Sequence, residues 1–193
     1  MRARRADAMD EMPEPRLRAV LDRIAAGDER AVFELHKVYA RRVHAFVLQR
    51  CRDDDVAQTV VSEVFFDVWK RPAAFRGDSR FSTWLLGVAR HKMLSALRQR
   101  DGEHDDIDDL ADELESGQPN GEQMLEEVQA AAVMHQCLDR LSALHRECLH
   151  LVYFEDHSLT ELAQVQRVPE GTAKTRLFHA RRKLRACVEL SCA

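Results

Sequence analysis

The chain has 193 residues, 45% of them apolar, with only 7 glycines and 5 prolines. Leu, Ala, Arg and Glu dominate, which points to an all-helical chain with a real core. No apolar run approaches the roughly 20 residues needed to cross a bilayer. The N-terminus, MRARRADAMDEMPEP, lacks the apolar stretch of a signal peptide, so a cytoplasmic protein without membrane attachment is expected. The net charge of −4 hides an uneven distribution. Residues 101–127 carry twelve acids and no Lys or Arg, so this segment is −12 and the remainder of the chain is +8. The pattern is two basic bodies joined by an acidic strip.

In chain order, Arg16 to Ala26 reads as a short amphipathic helix stopped by Gly27. Asp28 is a candidate N-cap for a second helix running to about Arg50, with Leu35, Tyr39, Val43 and Phe46 in a wide apolar stripe. One of Asp53, Asp54 or Asp55 caps a third helix ending near Trp69, before Pro72. Its valines favour strand by propensity. Val56, Val60, Val64 and Val68 recur every fourth residue, however, and the run is too long for an ordinary strand, so helix is expected. Phe65, Phe66 and Trp69 leave it apolar on more than one face, and one face is free to meet a partner.

Pro72 to Ser79 is a loop containing Arg76-Gly77-Asp78. Ser79 is expected to cap a fourth helix from Arg80 to about Arg98. Phe81, Trp84, Leu85, Val88 and Ala89 make its apolar side, and Arg90, His91, Lys92, Arg98 and Arg100 make its second half basic. Aromatics beside cations suit single-stranded nucleic acid, although spacing alone fits core packing better for Phe81 and Trp84. The acidic stretch Asp101 to Asn120 repels itself and reads as a flexible linker. A helix follows over Glu122 to Leu141, then another over Leu144 to Phe154.

Ser158 to Arg185, SLTELAQVQRVPEGTAKTRLFHARRKLR, reads as a short helix, a tight turn and a longer basic helix. It carries Arg167, Lys174, Arg176, Arg181, Arg182, Lys183 and Arg185. A helix-turn-helix with that charge is built to place one helix in a major groove of DNA. Leu159, Leu162, Ala163, Val165, Val168, Ala173 and Leu177 form its inner face. Pro169 stands just ahead of the second helix, where a missing N–H is harmless.

The five cysteines, Cys51, Cys137, Cys148, Cys187 and Cys192, include no C-x-x-C pair. Most are expected to be reduced, buried and apolar in role. His135 with Cys137, and His145 with Cys148, are close in sequence, but zinc sites show tighter paired spacing. No Ser-His-Asp set, H-E-x-x-H or phosphate-binding glycine loop is present, so no catalytic residue, metal or cofactor is assigned.

Two stretches together resemble one family. FRGDSRFSTWLLGVARHKMLSALR, Phe75 to Arg98, is similar to region 2 of bacterial RNA polymerase sigma factors. SLTELAQVQRVPEGTAKTRLFHARRKL is similar to their region 4. A chain of this length with both regions and a short linker resembles the extracytoplasmic-function (ECF) group of the sigma-70 family. The resemblance implies two small helical domains, region 2 over residues 16–100 and region 4 over residues 122–190, joined by an acidic linker over residues 101–121. It implies a factor that binds core polymerase through β and β′ and directs initiation at promoters, a monomer when free, with an anti-sigma factor as a regulatory partner.

Carried over by position, the resemblance assigns Val61, Glu63, Phe65, Phe66 and Trp69 to the polymerase contact. It assigns Arg76, Asp78, Phe81, Arg90, His91 and Lys92 to the −10 element, where a base is flipped from the non-template strand, and leaves Trp84 and Leu85 to the core. In the recognition helix, Lys174, Thr175, Phe178 and His179 face the groove of the −35 element. Thr172, Arg176, Arg181 and Arg182 meet phosphates. Three positions depart from the family pattern. Thr59-Val60-Val61-Ser62-Glu63 stands where Leu-Val-Gln-Glu is usual, Arg167 occupies the turn position usually held by Gly, and His91 stands where Asn is frequent.

Two other readings remain open. A helix-turn-helix regulator that binds duplex DNA as a dimer predicts a dimer surface and affinity for palindromic sites without polymerase. A metal- or thiol-dependent protein would use Cys137, His145, Cys148, Cys187 and Cys192. In a weaker form of that reading, the cysteines modulate a sigma factor.

Overall fold

The computed structural model describes residues 11–101 and 125–191, and among these it has eight α-helices, one 3₁₀ turn and no strand. The acidic strip beyond Asp101, the expected helix start at Glu122 and Cys192 lie outside the described residues. The N-terminal half holds α1 (Glu14–Ala25), α2 (Glu29–Cys51), α3 (Asp54–Lys70), the 3₁₀ turn Pro72–Ala74 and α4 (Phe81–Asp101). The C-terminal half holds α5 (Leu125–Asp139), α6 (Ala143–Tyr153), α7 (Leu159–Gln166) and α8 (Glu170–Ser191).

Local chemistry sets most of the boundaries. Helix α1 begins at Glu14, two residues before the expected Arg16, with Pro15 in its first turn, where no donor is lost. Gly27, at φ 89°, turns the chain, and the Asp28 side chain then accepts the Arg30 N–H at 3.0 Å to start α2. Of the three candidate caps for α3, Asp53 is the one used, accepting the Val56 N–H at 3.1 Å. The valine-rich run is helical throughout, so burial and period override propensity.

The start of α4 differs from expectation. Ser79 does not cap it; its hydroxyl donates to the Arg80 carbonyl at 3.3 Å, and the helix begins at Phe81. The Glu11 carboxylate supplies the acceptor instead, taking the Ser82 N–H at 3.3 Å. An anion at a helix N-terminus satisfies orphan donors and suits the helix dipole. Glu11 is held there by the Tyr39 hydroxyl at 3.2 Å and Arg42 Nη1 at 2.7 Å.

In the helix-turn-helix, Ser158 and Glu161 form a reciprocal capping box at the start of α7. Arg167 closes α7 in the left-handed region at φ 53°, ψ 47°. The turn therefore keeps the shape a glycine would take, at a cost of about 1–2 kcal/mol to an L residue. The Arg167 N–H reaches the Ala163 and Gln164 carbonyls, and Val168 N–H reaches the Ala163 carbonyl at 3.1 Å.

The two halves share one continuous core. Helix α2 packs on α1, α3, α4 and α6; α4 packs on α7; and α8 packs on α5, α6 and α7. Tyr39, Phe46, Phe81, Leu85, Leu86 and Met93 are fully buried in the first half, and Leu151 and Leu162 in the second. Of the four described cysteines, Cys148 meets the expectation of a reduced, buried thiol, and Cys51 is reduced but only partly buried. Cys51 and Cys148 are free, whereas Cys137 and Cys187 are joined in a disulfide.

Candidate nucleic-acid interface

Helix α8 is two-faced. Ala173, Leu177 and Ala180 are buried against the rest of the domain. Thr172, Lys174, Thr175, Phe178, Arg181 and Arg182 are exposed, Phe178 at 60%, and His179 and Arg176 are partly so. Several of these are positioned from within the domain. Arg176 Nη1 donates to Gln166 Oε1 at 3.3 Å, the Thr175 hydroxyl donates to the Gly171 carbonyl at 3.0 Å, and Arg181 lies over the Tyr153 ring. The Thr172 N–H is already bonded to the Pro169 carbonyl at 2.9 Å. The exposed side is cationic with one large aromatic, a composition suited to phosphates and a groove wall.

The second predicted reader, residues 75–80 and α4, is only partly at the surface. Arg76, Asp78 and His91 are exposed, with Gly77 at φ 81° letting the loop reverse. Beneath the loop, between it and α1, lies a cavity of about 840 Å³ lined by Glu11, Leu17, Leu21, Phe75, Arg76 and Phe81 among others. Phe81 itself is a correction: at 2% exposure it is a core residue. Its ring sits 5.0 Å from Tyr39, 5.1 Å from Phe75 and 5.6 Å from Trp84. Lys92 is drawn to α3 by Asp67 at 2.9 Å and Glu63 at 3.6 Å. Arg90 is buried and paired with Glu147 of the other half at 2.9 Å, so it is withdrawn from solvent in this arrangement.

On α3 the predicted contact also divides. Val61 and Phe65 are buried, so they support the helix and offer no surface. Phe66, at 54%, and Trp69 are exposed, their rings 5.7 Å apart, with the Lys70 ammonium over both. Glu63 is exposed beside them. An exposed apolar pair beside charge is the kind of surface that suits a partner.

Comparison with known proteins decides the family. Residues 35–103 match the model of sigma-70 region 2 and residues 137–186 match sigma-70 region 4. The chain belongs to the sigma-70 family, in its ECF group. The sigma factor is 29% identical to RNA polymerase sigma-H factor of Pseudomonas aeruginosa, covering 84% of this chain and 88% of that one. It is 28% identical to ECF RNA polymerase sigma-E factor of Escherichia coli over the same shares. It is 24% identical to ECF RNA polymerase sigma factor SigK of Mycobacterium bovis, covering 91% and 95%. Two solved structures share its fold, each with a TM-score of 0.59. One is sigma factor RpoE with the anti-sigma factor NepR from Bartonella quintana, 23% identical, covering 81% of this chain and 95% of that one. The other is CnrH with the cytosolic domain of CnrY, 21% identical, covering 90% and 97%. As a member of this family the protein is a polymerase subunit that directs initiation at promoters, with core RNA polymerase and promoter DNA as partners.

The sigma factor's two halves meet through buried charge, of which sequence reading singled out only Arg90, and in another role. Glu147 on α6 is fully buried. One carboxylate oxygen takes Arg50 of α2; the other takes Arg90 of α4 at 2.9 Å and Gln166 Nε2 of α7 at 2.8 Å. Glu155, in the α6–α7 connector, lies 2.7 Å from Arg42 Nε. Arg80 bonds both Glu161 oxygens and the Asp156 carbonyl, and the Thr83 hydroxyl adds a bond to Glu161 at 3.1 Å. Burial opposes ionisation of Glu161, but the bonds from Arg80 and Ser158 outweigh it and pull the carboxyl down to about 2.

This joint had a signal in the sequence. Arg42 and Arg50 fall on the Tyr39-Val43-Phe46-Val47 stripe, and Glu147 falls among Cys148, Leu149 and Leu151. A charge inside an apolar stripe implies a buried partner. The metal alternative gains nothing here. Among the described residues no group of three His, Cys, Asp or Glu side chains is arranged to hold an ion. His145 Nδ1 lies 3.0 Å from the Ser142 hydroxyl, and Cys148 Sγ takes Gln166 Nε2 at 3.3 Å.

Proposed function

We propose that this sigma factor works as two functional units, residues 16–100 and 122–190, joined by residues 101–121, and reads promoters with both. The exposed face of α8 reads the −35 element: Lys174, Thr175, Phe178 and His179 meet the groove, and Thr172, Arg176, Arg181 and Arg182 meet phosphates. Arg76, Asp78 and His91, with Lys92 and Arg90 once freed, act at the −10 element. Phe66 and Trp69, flanked by Glu63, dock on core polymerase. The protein has no catalytic role of its own and acts in the cytoplasm. No helix among the described residues is long and apolar enough to cross a membrane.

The observation that carries this reading is the division of α8 into a buried apolar face and an exposed cationic one. A helix-turn-helix presents its second helix in this way to a major groove. The described arrangement, with Arg90 held on Glu147, is a closed form, and promoter engagement requires the halves to separate. An anti-sigma factor that favours this closed form would keep the protein silent. Support for such a partner comes from the shared fold with RpoE, solved in complex with the anti-sigma factor NepR, and with CnrH, solved in complex with the cytosolic domain of CnrY.

Run-off transcription with core polymerase tests the proposal. Promoters from the source genome are expected to be transcribed with this protein and not with core alone. Joint substitution Lys174→Ala and Arg182→Ala is expected to abolish the product at a −35-dependent promoter while leaving core binding intact. Equal transcription by core alone, or an unchanged yield with the double variant, sinks it.

A further inference from the structure

We propose that Cys137 and Cys187 are a reversible thiol–disulfide pair that makes the stability of the DNA-reading domain respond to peroxide. The two residues lie on α5 and near the end of α8, with Cα atoms 5.7 Å apart and 50 residues between them in sequence. That span is almost the whole of region 4, so the bond closes a loop around α6, α7 and the recognition helix. The domain has few large fully buried side chains of its own. A covalent closure around it restricts the unfolded chain strongly.

The pair has the asymmetry a redox switch needs. Cys137 is buried at 1%, whereas Cys187 is partly exposed. The Ser191 hydroxyl stands 3.9 Å from Cys137 Sγ and is itself bonded to the Cys187 carbonyl at 2.9 Å. A polar group therefore lies at the sulfurs rather than an apolar wall. The other described cysteines are placed for inertness. Burial pushes the Cys148 thiol up to about 11 and raises that of Cys51 as well, and thiolate is the reactive form.

The chemistry balances with hydrogen peroxide as the oxidant. Cys187 thiolate attacks one peroxide oxygen, the O–O bond breaks, and water leaves after protonation, giving a sulfenic acid on Cys187. The Cys137 sulfur then attacks that sulfur, the S–O bond breaks, and a second water leaves. Two thiols lose two electrons and two protons, and one peroxide becomes two waters. A small dithiol or glutathione reverses the step by thiol exchange. The oxidised form holds the end of α8 on α5; the reduced form releases it and lets region 4 open. The consequence for promoters rests on the −35 reading proposed above, while the chemistry of the pair does not.

The full-length chain with C192S, equilibrated in glutathione buffers of graded potential and challenged with hydrogen peroxide, tests this. Thiols are trapped by alkylation and mapped by mass. Cys137 and Cys187 are expected to leave the alkylatable pool together as one intramolecular link, while Cys51 and Cys148 stay alkylatable after unfolding. Amide exchange in α7 and α8 is expected to slow on the order of tenfold or more on oxidation. C187S is expected to behave as reduced in both conditions. No link between Cys137 and Cys187, a link between different chains, or identical exchange in the two states overturns the proposal. Run-off transcription separates the two ideas. Activity only from the oxidised holoenzyme supports both, equal activity from the two states overturns the switch, and no activity from either overturns the promoter reading, while mapping and exchange still decide the pair.

Discussion

The N-terminal and C-terminal halves stabilise themselves by different means. The first is built on long helices around large apolar side chains, with Tyr39, Phe46, Phe81, Leu85, Leu86 and Met93 fully buried. The second is shorter, and its interior mixes Leu151 and Leu162 with Glu147, Glu155, His157 and Gln166, all buried. Glu147 is bonded to Gln166 and, across the joint, to Arg50 and Arg90. Glu155 faces Arg42 as an ion pair, His157 bonds through Nδ1 while its Nε2 has no hydrogen-bond partner among the described residues, and a disulfide closes the remainder. A domain of about 60–70 residues sits near the lower limit at which a core alone suffices. The difference shows which half stands on its own and which leans on its partner. It also suits the proposed separation of the halves at a promoter.

The sharpest way to break the comparison is to remove an aromatic from the first half. Phe81→Ala deletes a ring packed on Tyr39, Phe75 and Trp84 and is expected to cost about 4 kcal/mol in urea unfolding. A surface base-reading residue would lose promoter melting at unchanged stability. An unfolding midpoint within error of the parent would therefore return Phe81 to the reading surface.

The next largest effect lies at the joint. Glu147→Ala removes the buried carboxylate that takes Arg50, Arg90 and Gln166. Breaking a buried pair on one side leaves charge behind and is expected to cost roughly 3 kcal/mol. The loss should fall on the C-terminal half, so amide exchange in α6 and α7 should rise more than in the centre of α2. Uniform loss across both halves would mean that the joint is ordinary core.

Much of this architecture was legible in the sequence, and the failures share a cause. Helices α2, α3 and α8 were readable because their signals are local: Asp28, an aspartate before Val56 and Pro169 all act within a few residues. The start of α4 was misread because its acceptor, Glu11, lies 71 residues away. Val61, Phe65 and Phe81 are buried although the resemblance assigns them to contact sites: carry-over by position does not say which edge of an apolar stripe a neighbouring helix covers, and for Phe81 the spacing alone already favours the core. The sequence at Arg167 seemed at odds with the turn, yet the carbonyls of Ala163 and Gln164 hold the residue in the left-handed region. Partners across the joint were out of reach, although Arg42, Arg50 and Glu147 each advertised that a partner existed.

Acid should act on the leaning half first. Burial pushes the His157 pKa below its ordinary 6.5, with the Glu155 carbonyl only partly opposing. The folded chain keeps this ring neutral, so as pH falls through about 6.5 the unfolded chain gains a proton that the folded chain refuses, and stability drops. Glu161 works in the same direction at lower pH. Its carboxylate contributes stability above its ordinary 4.5 and loses that contribution as pH falls toward about 2. Urea midpoints followed from neutral pH downward should fall in two stages. H157Q should flatten the first stage and leave the second. A first stage that survives H157Q would assign it to another group.

The smallest effect probes how closely the halves fit. Gly87 lies on α4 where α7 crosses, and a Cβ built there would stand 4.0 Å from the Val165 Cα. That is ordinary contact, so Gly87→Ala should enter without displacing α7. The glycine costs α4 conformational entropy, and its replacement is expected to stabilise the protein by about 0.5–1 kcal/mol. Gly87→Leu has no such room beside a backbone atom and should force α4 and α7 apart. Because the joint holds Arg90 on Glu147, the two variants should separate stability from closure. The alanine variant should raise the midpoint with amide exchange at the joint unchanged, and the leucine variant should expose α7 while the core of α2, α3 and α4 stays protected. If leucine is accommodated as quietly as alanine, the halves are already loosely apposed at Gly87, and closure rests on the ion pairs alone.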